Sequence, residues 1–176
     1  MKKVIQISLF IVIICCLITA VFFTPVINVL SIRSRKCTSQ RFYSIDGYKK
    51  GFVISYTHSV NKGRIHDSYK RTEDNKIELY KTEFVSYGAG IPEPEETPGA
   101  VFTVTENSYV IENLNRIVPR LTMAVGLTAK HTIVFDTYFT IGAKEFLFTD
   151  FFEPQTSIVL EYQKISLISY LRHKIE

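Results

Sequence analysis

No acidic side chain precedes Asp46, while Lys2, Lys3, Arg33, Arg35 and Lys36 place five of the 21 basic residues in the first 36 positions. Residues 37–176 then carry 16 basic and 17 acidic side chains, a net charge of −1. A nucleic-acid binder carries its positive excess on the folded part, so this distribution argues against nucleic acid as a partner. Glycine is scarce at eight residues and 46% of the chain is hydrophobic, which excludes collagen-like and disordered classes. Of three cysteines, Cys15 and Cys16 lie inside an apolar run, and Cys37 alone cannot form an internal disulfide. At 176 residues, one globular domain is the default.

The charges missing from the start make room for residues 4–23, twenty positions broken only by Gln6, Ser8 and Thr19. At about 1.5 Å per residue such a helix spans roughly 30 Å, the thickness of a bilayer's hydrocarbon core. A cleaved secretory signal shares the Lys2, Lys3 start but needs small residues before its cleavage point. Here Ile18 precedes Ala20 by two positions and bulky Val21, Phe22 and Phe23 follow, so residues 1–24 read better as an uncleaved anchor. Ile13 and Ile14 stand where a lipid-attachment cysteine would have small residues, so Cys15 and Cys16 read as ordinary apolar positions. Residues 25–36 read as a basic linker. By a simple count, Arg33, Arg35, Lys36 and Arg41 after the span outweigh Lys2 and Lys3 and favour a cytoplasmic domain.

From residue 37 onward, short runs rich in Val, Ile, Thr, Tyr and Phe alternate with turn residues every eight to twelve positions. No long segment of helical period interrupts them, and that pattern predicts an all-β fold, an antiparallel sandwich or open barrel over 37–164. Strands are expected near 51–59, 64–72, 76–85, 100–105, 108–112, 119–127, 131–137, 144–149 and 156–163, with 113–116 as a connection. In the first of these, Phe52, Ile54, Tyr56 and His58 share one face. Residues 165–176, ISLISYLRHKIE, fit a short amphipathic helix as well as a strand.

Residues 56–69, YTHSVNKGRIHDSY, form the densest polar constellation. A two-residue turn at Lys62 and Gly63 would set His58 opposite Asp67 and Ser59 opposite His66, whereas a three-residue loop would set His58 opposite His66. An aspartate facing a histidine fixes its tautomer, either as a structural pair or to orient a general base. Neighbours on a strand point to opposite faces, which argues against a Ser59–His58 catalytic contact. His58, His66, Asp67, His131 and His173 have no metal-ligand spacing, so no metal is expected. A second constellation, residues 86–92 (SYGAGIP), has glycines that free backbone N–H groups for an anion or a partner's backbone. It matches no nucleotide fingerprint, and no cofactor is expected. The candidate binding residues are Tyr56, His58, Ser59 and Asp67 on the hairpin and Tyr87, Gly88, Gly90 and Pro92 on the glycine loop.

The segments FVISYTHSV, FVSYGAGIP and VIENLNRIVPRLTMAVG, with Asp67 between the first two and an apolar N-terminal segment ahead, resemble the bacterial domain-of-unknown-function family 1850 over roughly residues 25–163. Members look like small membrane-anchored or exported proteins often encoded beside tripartite (TRAP) transporters of the TAXI type. The resemblance implies a membrane partner, an extracytoplasmic domain against the simple charge count, and an accessory role beside a TRAP transporter component or its solute receptor. Where the family pattern has Thr-Pro after HSV and a later glutamate, this chain has Gly63, Arg64 and Asp67. Two functions are carried forward: a membrane-anchored binding module, which is favoured, and an envelope hydrolase using His58 and Asp67.

Overall fold

The computed structural model describes residues 1–37, 39–86, 97–136 and 143–175. Helix α1 (Lys2–Phe23) has no buried residue, and its length and apolar composition are those of a single membrane span. Inside it Thr19 Oγ1 donates to the Cys15 carbonyl at 2.7 Å, which satisfies a hydroxyl in an apolar stretch. The helix stops at Thr24, whose extended backbone is what a following proline imposes.

Among the described residues two antiparallel sheets follow, as the alternation predicts. The first has four strands in the order β2 (Arg41–Ser44), β1 (Ile27–Ser34), β11 (Ser157–Ile165), β8 (Leu121–Ala124). The second has seven, in the order β10 (Glu145–Leu147), β9 (Thr132–Val134), β3 (Phe52–Thr57), β4 (Arg64–Arg71), β5 (Ile77–Phe84), β7 (Tyr109–Val118), β6 (Val101–Val104). Leu30, Ile32, Ile158 and Leu160 of the smaller sheet pack on Phe52, Ile54, Ile77 and Ile133 of the larger, all nearly inaccessible to solvent. Phe52 and Tyr69 stack across β3 and β4 with ring centroids 5.0 Å apart. Beyond the reach of the smaller sheet, Ile65, Phe84, Ile111 and Leu114 form a second cluster, and Tyr56 lies against both.

Three features depart from the reading of the sequence. Residues 27–34, expected as part of a basic linker, are β1, which pairs along its whole length with β11. The basic residue that disguised it, Arg33, sits on the outer face and bonds Glu161 at 3.0 Å. Residues 113–116, expected as a connection, lie within β7, where Asn113 and Asn115 take positive φ and a bulge forms opposite β5. Among the described residues two short α-helices accompany the strands, α2 (Ile45–Lys50) and α3 (Leu167–His173), whereas the sequence suggested a short helix only over 165–176. Ser44 Oγ caps α2 by accepting from Gly47 N–H at 2.9 Å, and Gly51 at φ 76° ends it. The closing residues thus take the helical of their two readings, and Tyr170 of α3 joins Val29, Tyr43 and Ile165 on the outer face of the smaller sheet.

Candidate functional site

The β3–β4 hairpin corrects the expected register. Ile54 faces Asp67, Ser55 faces His66 and Tyr56 faces Ile65, so His58 falls beyond the ladder, where its N–H donates to the Gly63 carbonyl at 2.8 Å. The loop between them holds four residues rather than two. Lys62 adopts φ 58°, and Asn61 Oδ1 accepts from Gly63 N–H at 2.9 Å, so an Asx-type turn does the work assigned to a tight two-residue turn. His58 is buried, and its Nδ1 accepts from the N–H groups of Val60 and Asn61 at 3.2 and 3.4 Å. It therefore caps its own loop. Ser59 is exposed, and its carbonyl accepts from Lys62 Nζ at 2.6 Å.

Asp67 finds other partners. Thr82 Oγ1, directly opposite on β5, donates to its Oδ1 at 2.7 Å, and the Tyr56 hydroxyl is bonded to it from two positions along the hairpin, on the same face. These residues share the inward face. Burial pushes the Asp67 carboxyl up to about 6, although the Thr82 and Tyr56 hydroxyls and the Arg116 charge favour the ionised form. Burial, with the Asp67 charge nearby, also raises the Tyr56 hydroxyl above its ordinary value, which keeps it protonated and donating. Of the sequence-predicted residues, Tyr56 and Asp67 are brought together, and His58 stands apart from them. Four positions of strand, roughly 13 Å, separate the His58 pair from the Asp67 pair.

On the outward face His66 Nδ1 lies 2.8 Å from Ser55 Oγ, and Ser55 is buried. His66 also faces Glu83 on β5, which accepts from Ser108 Oγ at 2.9 Å. Burial lowers the pKa of His66 against the opposing pull of Glu83, so the ring is biased to the neutral form. Arg64 Nη2 reaches Thr132 Oγ1 at 2.7 Å, and Thr132 Oγ1 donates to Glu145. The His66–Ser55 contact went unread because it depends on a register that only the Asn61 turn sets.

Three described segments meet at the same end of the larger sheet: the hairpin loop, Val85 and Ser86 beyond β5, and the loop through Ala129, Lys130 and His131. The Asn61 amide donates to the Ser86 carbonyl at 2.7 Å, which ties the hairpin loop to the residue that opens the glycine loop. Gly63 is packed so closely that a Cβ there would lie 2.6 Å from Val85 Cγ2. Ala129 accepts from Thr57 N–H at 2.7 Å, Lys130 from Arg64 Nη1 at 2.8 Å, and the His131 ring lies 5.5 Å from Tyr56. Tyr87, Gly88, Gly90 and Pro92 lie outside the described residues. Among the described residues no group of three or more His, Cys, Asp or Glu side chains has metal-binding geometry.

The family model described as "Domain of unknown function (DUF1850)" matches residues 52–139, half of the chain. The chain belongs to this family. The match runs from the start of β3 past β9 and contains both the HSV hairpin and the glycine loop, while α1, β1, β2 and β11 fall outside it. No curated protein and no solved structure matches the chain. For this DUF1850 member, function has to be argued from the site itself.

Proposed function

We propose that the chain is a binding module anchored by α1, with its folded domain extracytoplasmic, that offers the three-loop end of the larger sheet to a TRAP transporter component or to that system's solute receptor. The Asn61–Ser86 hydrogen bond carries this reading, because it ties the hairpin loop to Val85 and Ser86, where the second segment that marks the family resemblance begins. Apolar side chains stand in solvent there: Val60 is 73% exposed, Val85 49% and Leu127 64%. Loop tips carrying apolar residues on a rigid sheet are suited to be covered by a partner. Strand β1 leaves directly from the anchor and runs about 26 Å toward this end, which gives the loops reach beyond the bilayer surface. The hydrolase reading needs His58 to work with Asp67, and the hairpin register separates them.

The test is site-specific photo-crosslinking of the full chain expressed with a TAXI-type TRAP system. A crosslinker at Val60 or Leu127 is expected to give an adduct with the receptor or a membrane subunit. One at Glu73, on the turn at the other end of β4, is expected to give none. Adducts from Glu73 alone would overturn the choice of surface, and none from any position would overturn the choice of partner.

A further inference from the structure

The outer face of the larger sheet holds a groove of about 1000 Å³ between α2 and the β4–β5 pair. Its cause is local. Strand β5 carries a bulge at Tyr80, so that Ser68 pairs with Lys81 and Tyr69 with Leu79, and a bulge bends its strand and sharpens the twist. The bend opens space under α2, with Tyr48 and Tyr80 among the walls and His66 and Ser68 on the strand beneath.

Five cations line this space: Lys49, Lys50, Lys70, Arg71 and Lys81. The acids in the lining are Glu83, Glu112 and Asp136, and Asp46 and Glu78 reach Lys50 and Lys70 from beside it. Three of the lysines have carboxylates at hand, Lys50 with Asp46 at 3.0 Å, Lys70 with Glu78 at 3.0 Å and Lys81 with Glu83 at 3.9 Å. Among the described residues Lys49 and Arg71 have none. The Arg71 guanidinium lies over the Tyr48 ring at 4.3 Å, and its Nη1 donates to the Thr72 carbonyl and Asn75 Oδ1, both at 3.2 Å. Its Nε is shielded from solvent and has no acceptor among the described residues.

We propose that this groove binds a small soluble organic anion, with a carboxylate or phosphate of the ligand held by Arg71 and by the rim lysines Lys49 and Lys81. With Nη1 committed to Thr72 and Asn75 and Nε shielded, Nη2 is the guanidinium nitrogen left for a charge-assisted contact with an oxyanion. Stacking on Tyr48 fixes that plane in advance. The volume is at the upper end of the range for small-molecule sites, and the two tyrosines supply apolar contact for the carbon skeleton of a ligand. The groove extends from α2 to His66 and Glu83, and the cations assigned to the ligand, Lys49, Arg71 and Lys81, are not among the residues that meet at Asn61.

The experiment is isothermal titration calorimetry of the full chain in zwitterionic nanodiscs, with succinate, citrate and inorganic phosphate as probes. At least one probe is expected to bind saturably and more weakly as salt is raised. Arg71→Gln should weaken binding about tenfold or more, the effect of one lost charge-assisted contact. Because Arg71 also packs on Tyr48, the companion variant is Lys49→Gln with Lys81→Gln, which changes rim positions only and should weaken binding several-fold while circular dichroism is unchanged. Failure of all three probes to saturate overturns the proposal. Equal affinity in the folded double variant also overturns it, as does binding seen only as enrichment of phosphatidylglycerol in mixed nanodiscs.

Discussion

Thr82 and Asp67 face each other across β5 and β4, and the threonine hydroxyl donates to the aspartate at 2.7 Å on the inward face of the larger sheet. The Asp67 carboxyl titrates at about 6 in the fold against an ordinary 3.8, because burial penalises its charged form. A carboxyl that holds its proton more tightly when folded adds stability that is complete below about pH 4 and lost as pH rises through 6. His66 and His131, whose pKa values burial lowers, act in the opposite sense, so the informative quantity is a difference between variants. The stability of wild type minus that of Asp67→Asn is expected to fall by on the order of 2–3 kcal/mol between pH 4 and 7. Thr82→Val should keep the shape, raise the Asp67 pKa further and cost about 1–3 kcal/mol. Urea denaturation at several pH values measures both. Parallel stability curves for wild type and Asp67→Asn would show that the carboxyl does not feel its burial.

The junction between the two sheets rests on α2. A Cβ at Gly47 would lie 2.8 Å from Leu30 Cδ2 and 2.9 Å from Phe135 Cδ1, both in the main core. Gly47→Ala is therefore expected to destabilise the domain despite alanine's better helix propensity, by about 1–3 kcal/mol for overpacking. Ser44→Ala removes the cap on the Gly47 N–H and should cost about 1 kcal/mol. A thermal melt in which Gly47→Ala matches or exceeds wild type would mean that Leu30 and Phe135 yield without cost.

Much of this was legible in the sequence. Strict alternation in residues 52–57 and 64–71 announced β3 and β4, and turn residues marked the ends of most later strands. Strand β1 was not legible, because Arg33, Arg35 and Lys36 hide an eight-residue alternation that makes sense only once Glu161 stands beside Arg33. The identities of Tyr56, His58 and Asp67 stood out as unusual polar groups in a β-rich stretch, but their partners did not. Which residues meet across a hairpin depends on loop length, and loop length here depends on Asn61 Oδ1 accepting from Gly63 N–H. The groove was hidden for a similar reason: its cations lie on three separate elements, and a bulge creates the space between them.

The side of the membrane can be settled through Cys37. It is exposed, its Sγ lies 3.0 Å from Ser39 Oγ, and that contact leads the causes that lower its pKa, so the thiol is poised to react. A membrane-impermeant maleimide is expected to label it in intact cells, with Cys37→Ser as the blank for Cys15 and Cys16. Labelling that appears only after the membrane is permeabilised would place the domain inside and end the extracytoplasmic reading.

Asn61 offers a way to separate the hairpin's own integrity from its tie to the neighbouring loop, because its two side-chain atoms serve different segments. Its Oδ1 accepts from Gly63 N–H within the hairpin, and its Nδ2 donates to the Ser86 carbonyl across it. Asn61→Asp keeps the first contact and sets a carboxylate oxygen against a carbonyl in the second, whereas Asn61→Ala loses both. Hydrogen exchange of the full chain is then expected to divide. In the Asp variant, amides near Val85 and Ser86 should lose protection while Gly63 keeps its own. In the Ala variant both regions should open, with a loss of about 1–2 kcal/mol for two hydrogen bonds near the surface. The same variants separate packing from recognition at the three-loop end. If the surface is used as a unit, Asn61→Asp should lower the Val60 crosslink yield severalfold with the melting temperature little changed. An Asp variant that exchanges and crosslinks like wild type would mean that the two loops act independently, and the hydrogen bond between them would no longer support a shared surface.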